Sequence, residues 1–396
     1  MTACLIFWIS LGLLAWCYAV YGIVLFMLNS VVSLFAKKKT NAVTEEIPVT
    51  LIITAYQESA ILPEKIRNTA AIDYPAGLLT VLLVTDGSEE DLSELLKPYP
   101  FIRQLHQPER KGKYAALKRA IPEVNTAVVF FSDANTMLNA DCIRKMMVHY
   151  QDPKVGAVAG EKKIQRTSPV LALGEAEGLY WKYESFLKKQ DAGFYTVVGA
   201  AGELFSIRTE LFKPLDADII LDDFIISMQV CLSRHRIAYE PGAFATEWPS
   251  ASLHEEAKRK IRIAAGAYQS MAWLWPSLNI FKYPLLAFQF FSRRVIRWFF
   301  SPFLLPVILA ANAWIVWVQT ASPVYAWILV SQGIFYLFAI AGWAMVYRGK
   351  PAGIFTIPFY FLFMNYCQAR GFFRWLGGKQ SATWEKSLRQ VVEQAP

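Results

Sequence analysis

The sequence predicts an α/β domain inserted between membrane helices, and three observations carry this prediction. Residues Ala3 to Ala36 contain no charge, which exceeds the roughly 20 residues that span a bilayer as a helix. From Pro48 to about Gly266, short apolar runs alternate with helical segments, as in a parallel sheet covered by helices. A second uncharged run extends from Trp298 to Tyr347. Its length suits two further spans.

These runs divide the 396-residue chain into six predicted segments. They are a membrane helix at 1–36, the α/β domain at 48–266, an amphipathic interfacial helix at 281–300, two membrane helices within 301–347, an interfacial or re-entrant segment at 353–377 and a cytosolic tail at 378–396. The two central spans are separated by the polar stretch from Gln319 to Pro323. The segment at 353–377 is assigned to the interface because its apolar part is short and contains Pro358.

Basic residues beside the spans predict the orientation. Lys37, Lys38 and Lys39 follow the first span, Arg293, Arg294 and Arg297 precede the second, and Arg348 and Lys350 follow the third. Because cytoplasmic loops carry the excess of Lys and Arg, we expect a multi-pass protein of the cell membrane with its α/β domain in the cytosol. The net charge of +8 fits contact with the anionic lipid bilayer, so no nucleic-acid partner is needed to explain it.

Within the domain, apolar runs at Val49–Thr54, Thr80–Thr85 and Ala127–Phe131 predict buried parallel strands. Helices are predicted between them at Ser59–Ala71 and Lys113–Ile121. In a sheet of this kind, ligands bind beyond the carboxyl ends of the strands. We therefore expect the site to be formed by the residues that follow each strand.

Acidic residues stand at these strand ends. Asp86 closes the second strand, Asp133 closes the third, and the pair Asp222-Asp223 follows a later apolar run. Carboxylates gathered at one edge suit a divalent cation or a proton transfer. Alternatively, Asp222 and Asp223 cap a helix, which is compatible with catalysis.

The sequence also lacks several common signatures. It has no GxGxxG and no GxxxxGK[ST], so it does not resemble a dinucleotide oxidoreductase or a P-loop NTPase. The five cysteines show no metal-ligand spacing. The basic turn at 110–113 opens a helix, where it could meet a diphosphate. A solvated basic turn is the alternative.

The motifs TAYQES, VTDGS, KGKYAALKRA, SDANT, VVGAAGELFSIR, LDDF and RKIRI occur in this order. In this they resemble family 2 glycosyltransferases, especially the membrane-bound cellulose, hyaluronan and poly-N-acetylglucosamine synthase type. The resemblance covers about Val49 to Gly266. It implies a nucleotide-diphospho-sugar transferase (GT-A-like) fold for the cytosolic domain, with a UDP-sugar as donor and a glycan or lipid-linked acceptor.

The resemblance also implies roles for individual residues. The nucleotide sugar would be bound by Thr54, Ala55, Tyr56, Glu58, Asp86, Lys113 and Arg262. Asp133 and Asn135 would hold Mg²⁺ or Mn²⁺, although Asn135 stands where the family has a second Asp. Asp223 would be the general base, with Asp222 supporting it. Gly202 and Glu203 would lie near the acceptor sugar.

One motif departs from the family pattern. Processive relatives carry Gln-x-x-Arg-Trp, whereas this chain has Arg259 and Ile263 at the positions of Gln and Trp. Only Arg262 matches. A similar pattern in SRRVIRW includes Trp298, which is predicted to anchor the interfacial helix.

The resemblance implies an inverting glycosyltransferase that moves a hexose or N-acetylhexosamine to a growing cell-surface or extracellular polysaccharide, with export proteins as further partners. A second interpretation is transfer of a single sugar to a lipid-linked acceptor. A third, from a different class, is a non-catalytic membrane protein that senses nucleotide sugars. No ionisable residue lies between Trp298 and Tyr347, which disfavours a transporter.

Overall fold

The computed structural model describes residues 1–35, 46–88, 92–165, 172–215, 218–250, 252–318 and 322–378. Three sequence features fall wholly or partly outside these ranges. They are the basic run Lys37-Lys38-Lys39, most of the polar break before Pro323, and the predicted tail except its first residue.

An eight-stranded mixed sheet forms the centre of the domain, in the order β3-β2-β1-β4-β7-β6-β8-β5. Its strands are β1 (Val49–Ala55), β2 (Leu79–Asp86), β3 (Ile102–Gln107), β4 (Val128–Asp133), β5 (Thr136–Leu138), β6 (Val155–Ile164), β7 (Phe205–Arg208) and β8 (Arg236–Glu247). Strands β3, β2, β1 and β4 are parallel, with Thr54 of β1 opposite both Val84 and Asp133. The predicted strands are thus parallel neighbours, and their carboxyl ends share one edge.

The second half of the sheet was not predicted. Strand β7 has four residues and pairs antiparallel with both β4 and β6. Strand β8 is parallel to β6 and antiparallel to the three-residue β5. Strands β5 and β7 have too few alternating residues to be recognised in a sequence. Strands β6 and β8 are longer, with 10 and 12 residues, but glycines, and a proline in β8, interrupt their apolar pattern. The pairing of β7 with β4 brings the loop before Phe205 beside the end of β4.

Helices cover both faces of the sheet. Those of the domain are α3 (Leu62–Ala70), α4 (Ser93–Leu96), α5 (Lys113–Ala120), α6 (Cys142–Met147), α7 (Ala172–Phe194), α8 (Asp222–Leu232) and α9 (Leu253–Trp273). Alternate residues of β1 enter two apolar cores, Ile52 on one face and Ile53 on the other. Both are almost fully buried, as expected for the central strands of a sheet with two covered faces.

Three helices are long and apolar enough to cross a membrane, at Thr2–Leu34, Pro284–Trp317 and Val324–Tyr347. The first consists of α1 (Thr2–Ala15) and α2 (Tyr21–Phe35), joined by a π-helical turn at Trp16–Val20. The second contains α10 (Pro284–Phe290), a π-helical segment at Phe291–Phe300 and α11 (Ser301–Trp317). The third is α12 (Val324–Tyr347). These helices identify a membrane protein. A last helix, α13 (Thr356–Leu376), packs against α9 and α12.

The helix from Pro284 to Trp317 is continuous, and its arginines face the domain. Arg293 pairs with Glu184 (Nη2–Oε2 2.7 Å) and with Asp191 of α7, and Arg297 pairs with Glu184 (Nη1–Oε1 2.6 Å). Arg293 and Arg297 are buried. At about 1.5 Å per residue, the 34-residue helix is longer than a bilayer core is thick. The interfacial position of 281–300 stays a prediction. Two of its arginines, Arg293 and Arg297, are paired with carboxylates of α7.

Candidate active site

The carboxyl ends of the parallel strands open into a cavity of about 320 Å³. The predicted residues that line it are Thr54, Tyr56, Glu58, Lys113, Asp133, Asn135, Gly202, Glu203, Asp222, Asp223 and Arg262. Ala55 and Asp86 line a smaller adjoining cavity of about 20 Å³, together with Arg110 and Gly112. The structure therefore brings every predicted site residue to one place, as the shared strand edge requires.

Asp86 holds the basic turn in position. Its carboxylate accepts hydrogen bonds from the backbone N–H of Lys111 (3.1 Å) and Gly112 (2.7 Å). Gly112 has φ +94°, a conformation that glycine adopts readily because it lacks a Cβ. The Arg110 guanidinium lies over the Tyr56 ring, 3.8 Å from the ring centroid. This end of the site thus combines a flat aromatic surface with a positively charged turn.

Lys113 is the cation at the centre of the site. Its Nζ lies 2.5 Å from Asp133 Oδ1 and 3.6 Å from Asp222 Oδ2. Burial alone would lower the pKa of Lys113, but Asp133, Asp222 and Asp223 raise it above its ordinary value. Lys113 therefore stays protonated and offsets part of the carboxylate charge, so a negatively charged ligand can enter the site.

Asp223 has the pKa of a general base. It stands with Asp222 in the first turn of α8. Burial and the neighbouring charge of Asp222 raise the pKa of Asp223 to about 7, against the opposing effect of Lys113. A carboxylate with a pKa near neutral pH can accept a proton during a reaction and release it afterwards. A base with this pKa is what the role implied by LDDF would require.

Gly202 leaves open space between these charged groups. A Cβ at this position would lie 3.0 Å from Lys113 Nζ, 3.3 Å from Asp223 Oδ2 and 3.6 Å from Asp133 Oδ2. Any larger residue would fill the space on which the three groups converge. The glycine in VVGAAGELFSIR therefore keeps room for a substrate.

The oxygen atoms around this space suit a hard cation. Asp133 and Asn135 line it, and Asp222 Oδ2 has no hydrogen-bond partner among the described residues. Within the described part of the chain, no three His, Cys, Asp or Glu side chains form a group that could hold a metal alone. Magnesium often takes only one or two carboxylates and completes its shell with substrate phosphates and water. The residues fit a cation that arrives with a diphosphate.

Glu203 is engaged by the protein. Its carboxylate pairs with the buried Lys162, which also pairs with Glu247. Although burial acts to raise the pKa of Glu203, Lys162 holds it below its usual range. Arg262 also borders the cavity, where Asp222, Asp133 and Asp223 counteract the lowering of its pKa by burial and by Arg259. Glu203 thus shapes the wall, whereas Arg262 adds positive charge.

The cavity is also lined by residues that the sequence did not place in the site. They are Trp181, Glu184 and Lys188 of α7, together with Arg294 and Trp298 of the helix from Pro284 to Trp317, here called the long helix. Trp298, predicted as an interfacial anchor, lies in this wall, with its ring 5.1 Å from that of Phe224 and 4.7 Å from the Arg294 guanidinium. Its position at the membrane interface stays a prediction, and nothing local in SRRVIRW indicates the contact with α8.

Comparisons with known proteins agree with this geometry. A model described as glycosyltransferase like family 2 matches residues 47–266. The chain is 25% identical over 296 residues to a poly-beta-1,6-N-acetyl-D-glucosamine synthase of Staphylococcus aureus, covering 71% of this chain and 70% of the relative. A Staphylococcus epidermidis protein with the same name is 23% identical over 263 residues, which is 63% of this chain and 62% of that protein.

A solved structure with a similar fold is the mannosyltransferase PcManGT from Pyrobaculum calidifontis in complex with GDP-Man and Mn²⁺. The TM-score is 0.67 at 20% identity, with 95% of this chain and 100% of that chain covered. This similarity confirms the predicted GT-A-like fold. The family match spans more than half of the chain and includes every predicted site residue, so the protein belongs to the glycosyltransferase like family 2.

Proposed function

We propose that the protein is an inverting glycosyltransferase that moves a hexose or N-acetylhexosamine from a UDP-sugar to a growing cell-surface or extracellular polysaccharide. The reaction would take place at the cytosolic membrane face. The observation that carries this proposal is the convergence of Lys113, Asp133 and Asp223 on the open space at Gly202. Relatives named as synthases of an N-acetylglucosamine polymer support the class of sugar and product.

In the proposed reaction, Asp223 accepts the proton of an acceptor hydroxyl. The acceptor oxygen then forms a bond to the anomeric carbon as the bond from that carbon to the nucleoside diphosphate breaks. Inversion requires the oxygen and the leaving group to lie on opposite faces of the sugar. Lys113 and Arg262 would attract the diphosphate, because charge-assisted contacts to phosphate oxygens are strong.

A divalent cation, Mg²⁺ or Mn²⁺, would be held by Asp133 and Asn135 with support from Asp222, and would neutralise charge on the departing diphosphate. The amide of Asn135 contributes a neutral oxygen. The protein therefore supplies one negative charge fewer at that ligand position than the family's second Asp would. We expect a weakly held ion that binds together with the donor.

Transfer of a single sugar to a lipid-linked acceptor is the second candidate. It is favoured by cavity-lining residues on the helices near the membrane: Trp298 of the candidate span Pro284–Trp317, and Met364 and Gln368 of α13, which packs against α12. A lipid-linked sugar could reach the site along these helices. Product size distinguishes this candidate from a polymer synthase, whose export partners would be sought afterwards.

The test compares the parent protein in detergent with Asp223→Asn, using UDP-sugars with Mg²⁺ or Mn²⁺, and GDP-mannose as a further donor. Asp218→Asn is the control, because Asp218 lies in the same loop and its side chain is exposed. We expect cation-dependent release of UDP by the parent and the control. Asp223→Asn should retain nucleotide binding and lose turnover.

Two results would contradict the proposal. Equal turnover by the parent and Asp223→Asn would remove Asp223 from its role as base. Turnover with GDP-mannose alone would overturn the assignment of a UDP-sugar donor. Product sizing then separates polymer from single addition.

A further inference from the structure

The wall of the cavity formed by α7 and the long helix contains a buried amine that has no hydrogen-bond partner among the described residues. Lys188 of α7 is 4% exposed and lines the cavity. Its Nζ has no hydrogen-bond partner among the residues that the structure describes. Buried polar groups are nearly always hydrogen-bonded, because an unpaired one costs free energy. An amine in this state, lining a cavity, can donate hydrogen bonds to a ligand that enters it.

The carboxylates whose charges act on Lys188 all have other hydrogen-bond or ion-pair partners. Glu161 accepts hydrogen bonds from Ser185 and Tyr239, Glu203 pairs with Lys162, and Glu184 pairs with two arginines of the long helix. These carboxylates raise the pKa of Lys188, but burial has the larger effect and lowers it. Since the carboxylates have other partners, the amine keeps its donors for a ligand.

Aromatic rings border the same part of the cavity. Lys188 Nζ lies 5.6 Å from the centroid of the Trp181 ring. Trp298 lines the cavity from the long helix and packs against Phe224, the residue after Asp223. Indole rings present a flat apolar face with a polar edge. Such a face suits a pyranose ring, which has an apolar C–H face and hydroxyl groups around it.

We propose that Lys188, Trp181 and Trp298 form the binding site for the acceptor sugar, with Lys188 donating a hydrogen bond to one of its oxygen atoms. This inference rests on the proposed function. It assigns the acceptor to the wall formed by α7 and the long helix, which lines the same cavity as Asp223, so that a sugar held there presents its hydroxyl to Asp223. Both candidate acceptors, a growing glycan and a lipid-linked sugar, carry this chemistry.

The test measures acceptor-dependent transfer by the full-length protein in detergent. A soluble N-acetylglucosamine oligosaccharide and a lipid-linked N-acetylglucosamine are compared as acceptors. Lys188→Met removes the donors and keeps an unbranched side chain that fills much of the space. Lys189→Met is the matched control, because Lys189 is the next residue of α7 and is exposed.

We expect Lys188→Met to raise the acceptor KM at least about tenfold, the loss typical of a hydrogen bond from a charged donor. Donor KM, nucleotide binding and hydrolysis of the donor by water should stay within about twofold of the parent, a margin small beside that loss. The acceptor whose KM changes more is the one that the proposed site binds. Lys189→Met should behave as the parent does.

An unchanged acceptor KM in Lys188→Met, or an equal rise in donor KM, would overturn the inference while leaving the proposed function intact. A parent protein that transfers no sugar at all would overturn both. If Lys188→Met loses nucleotide binding, and so its fold, Trp181→Leu provides the same test. It too must raise acceptor KM selectively.

Discussion

Replacing Gly202 by alanine should separate catalysis from stability. The new Cβ would lie 3.0 Å from Lys113 Nζ and 3.3 Å from Asp223 Oδ2, closer than ordinary van der Waals contact. The backbone at Gly202 lies outside the left-handed region, so alanine adds no strain there. The perturbation is thus confined to one methyl group between the charges of Lys113 and Asp223.

The size of the expected loss in kcat follows from these distances. The Lys113 and Asp223 side chains must each move by a few tenths of an ångström, and the methyl group occupies substrate space. Because a misplacement of about 1 Å can cost 100-fold in rate, we expect kcat to fall about 10- to 100-fold. Folding should be spared, since Lys113 ends in a flexible chain. Alanine also lowers the entropy of the unfolded state, which adds about 0.4–1 kcal/mol of stability.

The assay measures kcat, nucleotide affinity and the thermal midpoint of Gly202→Ala beside the parent protein. Gly178→Ala is the control, because nothing lies within 4 Å of a Cβ added at this position in α7. It should gain stability of about 0.5–1 kcal/mol with unchanged activity. A kcat for Gly202→Ala within twofold of the parent, with the protein folded, would refute the view that this space holds reacting groups.

Three further predictions concern the proton, the cation and the ion pairs. Because Asp223 acts as a base only when deprotonated, and its pKa is about 7, kcat/KM should fall about tenfold per pH unit below 7 and level off above it; a flat profile from pH 5 to 8 would contradict this. Chelation of divalent cations should abolish turnover and weaken donor binding, and added Mg²⁺ or Mn²⁺ should restore both; full activity in chelator would exclude the proposed ion site. Lys162→Met leaves the buried Glu203 without the cation it pairs with, while Glu247 keeps Arg259 at 3.9 Å, so we expect a loss of about 3–5 kcal/mol in unfolding free energy by denaturant titration. A loss below about 1 kcal/mol would show that the carboxylates find water or other partners.

The part of the site that contains Asp86, Asp133 and the pair Asp222-Asp223 could be predicted because it depends on local sequence. Apolar runs identify β1, β2 and β4, and the chain order makes them parallel neighbours. Asp86 and Asp133 follow at their ends, so their positions are determined by the sheet. The pair Asp222-Asp223 is recognisable for a similar reason, because it directly follows an apolar run and begins α8. These positions need no knowledge of distant contacts.

The wall formed by α7 and the long helix could not be predicted, because its residues are brought to the cavity by contacts with residues far away in the sequence. Lys188 and Trp181 lie on a helix whose several charged residues resemble those of a solvated surface. Only the long helix from Pro284, which supplies Arg293 and Arg297 to Glu184, shows that this surface is buried. Similarly, Trp298 has the context of an interfacial anchor in sequence, and its place beside Phe224 depends on tertiary packing.

The ion pairs of α7 connect the proposed acceptor site to the membrane helices. Glu184 lies one helical turn before Lys188, and it binds Arg293 and Arg297 of the helix that continues into α11. Removing either arginine would leave buried negative charge uncompensated, so the long helix and α7 are held in one arrangement. A shift of that helix would therefore move Trp298 and the wall at Lys188 together. The proposed acceptor site is thus built at the junction between domain and membrane, where a glycan or a lipid-linked sugar would have to enter.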